Sequence, residues 1–280
     1  MLQKLDLRRN IAEQIGAGCL IAFATLGFAS AVHAQTAVPQ RCEQPTPTTF
    51  AITGPIDNAL AECVEQRFQD TTTTLVLNSA GGSVASALDI AAKFEGRGLT
   101  MRVETQCNSS CANYWLPLAR RVELEPGALI MLHGSLDPRL VEGFVASRTQ
   151  VIADHQAQGM TEAAATASFE EAAARLRVNA SREAAFVARN DIPRGWMLYR
   201  VPGSNRIHDV SGRVFGYGRI GVIVEERFFR SCFPGIEVEP FQRDLDRRYL
   251  NSLRAIELLA RGVSRTASME CVRAAEAVDR

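Results

Sequence analysis

The chain has 280 residues and carries 31 basic against 31 acidic side chains, so its formal net charge is zero. Balanced charge with no basic run and no aromatic-interleaved basic patch argues against a nucleic-acid partner. Arginine supplies almost all of the positive charge, with Lys4 and Lys93 the lysines of the chain, and that scarcity limits which base a catalytic site could use.

Residues 1–34 read as an export signal: Lys4, Arg8 and Arg9 form a basic start, Gly16 to Val32 an apolar stretch, and Ala31, Val32, His33 and Ala34 a cleavage region. The mature chain is expected to begin near Gln35, in the periplasm or secreted. The alternative is an inner-membrane anchor made by the same segment left uncleaved. No later apolar run reaches bilayer-spanning length, so no membrane span is expected in the mature chain. Residues 35–47, rich in Gln, Pro and Thr, read as a flexible leader.

A strand is predicted from Phe50 to Thr53, ended by Gly54-Pro55. A helix follows from an Asp57 cap, with Leu60, Cys63, Val64 and Phe68 at helical spacing. Leu75 to Leu77 is a continuous apolar run of the kind buried in a parallel sheet. Gly81-Gly82 breaks it, Ser83 caps, and Val84 to Phe94 forms an amphipathic helix stopped by Gly96 and Gly98. Met101 to Val103 is a strand, Ser110 to Leu118 a helix and Ala128 to Leu132 a strand. Past His133, Leu140 to Gln156 and Thr161 to Arg189 are long Ala-rich helical stretches. Val214 to Val224 returns to strand-like sequence, and Phe241 to Arg261 reads as a last helix. The division expected is a domain over 48–200 and a C-terminal extension with short strands and a helix over 201–280.

Six cysteines follow the signal: Cys42, Cys63, Cys107, Cys111, Cys232 and Cys271. An even count in an exported chain favours disulfides, and the spacing does not choose among the connectivities. Cys107 and Cys111 either bridge each other across the serine loop or pair with distant cysteines. No paired Cys or His spacing supports a metal site, and none is expected.

Three segments carry the chemistry. A serine hydroxyl becomes a nucleophile when a base takes its proton, and the oxyanion it generates needs fixed N–H donors. Ser109 lies in a turn that enters a helix, with the Ser110 N–H beside it. Gly81-Gly82 follows a strand and, lacking side chains, admits a substrate carbonyl close to backbone N–H groups. His133 ends an apolar strand, where an imidazole can reach toward a neighbouring helix start. Each feature has a plain structural alternative: a tight turn, an N-cap and a buried histidine. It is their occurrence together that points to acyl transfer.

The stretch from about Phe50 to Ser135 resembles the Clp protease proteolytic subunit and its exported relatives in the ClpP/crotonase superfamily. The likeness rests on Gly54-Pro55-Ile56, on Asn78-Ser79-Ala80-Gly81-Gly82-Ser83-Val84, on Cys107-Asn108-Ser109-Ser110-Cys111-Ala112, and on Pro126 to His133. It implies an α/β fold, a ClpP/crotonase-like repeated β-β-α superhelix with added C-terminal helices. It also implies a serine peptidase-like hydrolase with Ser109 as nucleophile, His133 as base, and Gly81 or Gly82 with Ser110 as the oxyanion hole. No cofactor is implied. The expected partners are a peptide or unfolded protein segment and further copies of the chain, as a homo-oligomer.

The chain departs from the family pattern in two places. Ala80 stands where the family has proline. The acid that orients the histidine is matched only loosely, by Asp191 after the long helix, with Asp154 and Asp137 as alternatives. Ser110 is the alternative nucleophile. A Ser-Lys dyad, used by signal-peptide-peptidase relatives, is set aside because no lysine follows Lys93. A catalytically inactive binding or assembly protein of the same fold remains the rival, and a coenzyme-A enzyme of this fold would lack its cofactor after export.

Overall fold

Four apolar runs define the centre of the molecule, because Val-, Leu- and Ile-rich segments with both faces covered assemble as a parallel sheet. The structure is a computed structural model. It describes residues 41–132, 134–136, 138–197, 207–208, 214–215, 222–224, 226–239 and 271. All of these fall in one unit, Val38–Arg280. The predicted signal and the predicted Phe241 to Arg261 helix lie outside the described residues.

The strands are β1 (Arg41–Thr46), β2 (Thr49–Thr53), β3 (Thr74–Ser79), β4 (Leu99–Asn108), β5 (Ala119–Leu124), β6 (Leu129–Leu132), β7 (Ile207–His208), β8 (Val214–Phe215), β9 (Val222–Ile223) and β10 (Glu237–Val238). The helices are α1 (Asn58–Arg67), α2 (Val84–Phe94), α3 (Ser110–Tyr114), α4 (Pro138–Ala146), α5 (Arg148–Ala157), α6 (Glu162–Arg189), α7 (Arg194–Met197) and α8 (Glu226–Cys232). The main sheet is mixed. Its path runs β1-β2-β3-β4-β5-β10, with β6 pairing β4 and β9 pairing β6, and β7 pairs β8 separately. The chain is therefore α/β.

β4 organises the site. Its first half pairs with β5, from Leu99 opposite Ala119 to Val103 opposite Leu124. Its last residues pair instead with β6, Gln106 opposite Leu129 through Asn108 opposite Met131. Between these arms the register with β3 shifts, so that Leu77 faces Val103 but Ser79 faces Cys107. This irregularity gives β4 two successive neighbours on one edge and carries its end out beside β3 and β6.

The core fills the space between this sheet and its helices. Phe50, Ile52, Leu75, Leu77, Met101 and Val103 are buried from the sheet, and Leu60, Val64, Ile90 and Phe94 from α1 and α2. Both helix starts follow the predicted capping: Asp57 accepts from the Leu60 N–H, and Ser83 from the Ser86 N–H. Trp115 is fully buried and its indole N–H donates to the Ala87 carbonyl at 3.0 Å, a core role. Helix α6 reaches the body through Arg182 with Asp89 and Arg189 with Glu95. The Arg189 hydrogen bond holds the Glu95 carboxyl below its ordinary pKa. Further along, α4, α5 and α6 share a smaller cluster of Ile152, Ala165, Phe169 and Ala173.

The described structure differs from the sequence expectations in several places. Residues 41–46, expected in a flexible leader, form β1. This edge strand pairs antiparallel with β2 and is tied to α1 by the Cys42–Cys63 disulfide. Pro and Thr are compatible with an edge strand, which is why composition misread it. The stretch 140–156 is two helices separated at Ser147, whose hydroxyl donates to the Phe144 carbonyl. Segment 119–124, not predicted as a strand, is β5, and Arg121 there bonds Glu123, Glu237 and Glu239.

The expected C-terminal extension contributes β9 and β10 to the main sheet. It is fixed by a Cys232–Cys271 disulfide and by Phe228, Phe229 and Phe233 around the Trp196 ring. A Cβ at Gly195 would overlap the Cys271 carbonyl. The third disulfide joins Cys107 to Cys111. Three disulfides fit a chain that folds in an oxidising compartment. Among the described residues no helix is long and apolar enough to cross a membrane.

Candidate active site

The parallel strands β3, β4 and β6 end side by side, and the residues that follow them carry the predicted chemistry. Crevices at the carboxyl ends of parallel strands are where open α/β sheets bind ligands.

After β3, Gly81 turns the chain with φ 90°. Its N–H donates to Ser79 Oγ at 3.1 Å, and its carbonyl accepts from the Ile56 N–H at 3.0 Å. The Ser83 N–H donates to the Ile56 carbonyl at 2.8 Å. The Gly82 N–H takes no part in these bonds. A Cβ on Gly82 would overlap the Ile56 carbonyl. On Gly81 it would sit 2.6 Å from the Asn108 carbonyl oxygen, 2.7 Å from Ser109 Cβ and 3.0 Å from the Ser110 nitrogen. The glycine pair therefore lies directly against the serine turn.

Ser109 joins β4 to α3 with φ 54° and ψ −124°. Positive φ at a non-glycine residue in a strand-to-helix turn is sterically costly and is held there by the surrounding structure. The Ser109 side chain makes no capping bond to its helix, and the residue is partly exposed. Its N–H donates to the Met131 carbonyl at 2.8 Å, two residues before His133. The serine turn is thus bonded to β6, the strand that precedes the predicted base in sequence. His133 itself lies outside the described residues, as does Asp137.

Ser110 is buried, and its hydroxyl donates to the Gly82 carbonyl at 2.8 Å. That bond ties the serine turn to the glycine turn, so the Ser110 side chain is a strut while its N–H stands at the start of α3. The helix is shorter than expected: its five residues end at Tyr114, Trp115 caps it, and a 3₁₀ turn follows over Leu116–Leu118. What it offers an anion is therefore individual N–H groups more than a long helix dipole. The Cys107–Cys111 disulfide spans the turn with its Cα atoms 5.2 Å apart and braces the loop holding Ser109.

Of the expected acids, Asp191 is exposed in the turn after α6 with φ 49°, and nothing among the described residues bonds to it. Asp154 is exposed on α5, accepting from Gln150 at 2.7 Å. The buried acid of α6 is Glu183, which the sequence reading did not single out. The Tyr114 hydroxyl donates to Glu183 Oε2 at 2.5 Å, Ser135 Oγ bonds the same oxygen, and the Leu136 N–H reaches it at 3.4 Å. Burial pushes the Glu183 carboxyl above its ordinary pKa, against the lowering effect of the Ser135, Tyr114 and Leu136 hydrogen bonds. Burial, with the neighbouring Glu183 charge, likewise raises the Tyr114 phenol. Asn113 completes the cluster, its Nδ2 donating to the Gly134 carbonyl at 3.1 Å.

One signal could have found Glu183: on α6 it shares the buried face with Phe169, Ala173 and Phe186, where a charged residue is out of place. Among the described residues no three His, Cys, Asp or Glu side chains gather as a metal-ligand group.

Compared with known proteins, the chain matches no family model and no curated protein.

Proposed function

We propose that this chain is an exported serine peptidase-like hydrolase of the ClpP/crotonase type, with Ser109 as nucleophile and His133 as base. The observation that carries the reading is the backbone of Ser109. A serine held at φ 54°, ψ −124° against Gly81 is strained. Strain of this kind persists where the surroundings enforce it, and it clusters at active sites.

In the proposed reaction His133 takes the Ser109 proton as Oγ attacks the carbonyl carbon of a peptide bond. The Gly82 and Ser110 N–H groups hold the resulting oxyanion. The imidazolium then gives its proton to the leaving amine, and water releases the acyl group by the same steps. Partly exposed Ser109 suits the nucleophile better than Ser110, whose buried hydroxyl is engaged by Gly82. An ATP-driven unfoldase is not expected outside the cytoplasm, so the substrate class proposed is unfolded or short peptides.

A fluorophosphonate probe tests the reading, since it phosphonylates activated serines. The expected result is one adduct per chain on the wild type, none on Ser109→Ala, and a retained adduct on Ser110→Ala. A folded wild type that takes no adduct rejects the hydrolase and leaves the scaffold.

A further inference from the structure

The chain immediately after His133 is gripped residue by residue. Asn113 of α3 takes the Gly134 carbonyl, the Tyr114 hydroxyl lies 2.9 Å from Ser135 Oγ, and Glu183 of α6 accepts from Ser135 and from the Leu136 N–H. Tyr114 donates to the same carboxylate oxygen. One atom, Glu183 Oε2, thus collects a donor from the helix that starts beside Ser109 and two donors from the segment that starts beside His133.

A buried carboxylate is a costly way to join two segments. Taking it out of water is unfavourable, and apolar packing of similar volume would hold α6 as well or better. Glu183 is only 5% exposed, and among the described residues no arginine or lysine is bonded to it. Among the described residues, two neutral hydroxyls and one amide offset its desolvation. Such an arrangement favours a role in fixing geometry over one in stability.

We propose that Glu183 is a positioning residue for the Ser109–His133 pair, holding the chain after the base in register with the helix after the nucleophile. The proposal rests on the hydrolase reading. In this role Glu183 acts through Tyr114, Ser135 and Leu136, to which it is bonded, and not as the acid expected behind the histidine.

Phosphonylation kinetics on the full chain test it by separating the maximal labelling rate from the probe's half-saturating concentration. Glu183→Ala is expected to lower the maximal rate by about ten- to a hundredfold with half-saturation unchanged, as for a base displaced by a fraction of an ångström to an ångström. Glu183→Gln keeps an oxygen for the two hydroxyls and is expected to restore the rate to within about threefold of wild type. Should Glu183→Ala fail to fold, Ser135→Ala removes one donor and should lower the same rate. A folded Glu183→Ala or Ser135→Ala labelled at the wild-type rate overturns the proposal. So does a Glu183→Gln as slow as Glu183→Ala, which would make the charge and not the bonds decisive. Wild type that takes no label removes the hydrolase reading and this inference with it, whereas labelled wild type with unaffected variants removes this inference alone.

Discussion

Gly81→Ala is expected to slow phosphonylation of Ser109 by about a hundredfold, the scale of an ångström misplacement of a reacting group. The new methyl would sit 2.7 Å from Ser109 Cβ and 2.6 Å from the Asn108 carbonyl oxygen, closer than van der Waals contact allows. Neither neighbour can give way cheaply. Asn108 is paired with β6 on one side, and the following turn is braced by the Cys107–Cys111 disulfide. Alanine at φ 90° is also strained by its own backbone, adding roughly 1–3 kcal/mol to the destabilisation. The measurements are the labelling rate and the denaturant midpoint, and a variant with wild-type labelling would show that the glycine turn does not abut the serine in solution.

Ser109→Gly is expected to abolish labelling and, unusually for a mutation in a packed site, to stabilise the fold by about 1 kcal/mol. Glycine tolerates φ 54°, ψ −124° without the steric cost that serine bears, and this outweighs the added freedom of the unfolded chain. Ser109→Ala is the control, since it loses the hydroxyl but keeps a Cβ in the same strained turn. For a chain of this size the difference corresponds to about 2–4 °C in Tm, readable by thermal unfolding. Ser109→Gly melting below Ser109→Ala would contradict the strained turn.

These two residues also show how far the sequence could be read. Gly81 was legible because a glycine pair closing an apolar run has few structural uses, and the caps Asp57 and Ser83 were legible from local chemistry alone. The Ser109 turn was visible as a loop entering a helix, but its φ is imposed by neighbours from β3 and β6, which no local pattern records. The same limit hid β5: the consecutive Arg120 and Arg121 break the alternation of a half-buried strand, and the segment becomes one because β4 offers it an edge. β9 and β10, two residues each, are too short for periodicity to register. Glu183 was obscured for a different reason. Its place on the apolar face of α6 with Phe169, Ala173 and Phe186 was legible, but its partners Tyr114 and Ser135 are distant in sequence.

The most direct test of the convergence of the three strand ends is a crystal structure of the protein after fluorophosphonate treatment. The adduct is predicted on Ser109 Oγ, with the phosphonyl oxygen accepting from the Gly82 and Ser110 N–H groups and the His133 imidazole within hydrogen-bond reach of the Ser109 oxygen. A phosphonyl group on another residue, or a Ser109 adduct whose oxygen points away from both N–H groups toward solvent, would contradict it.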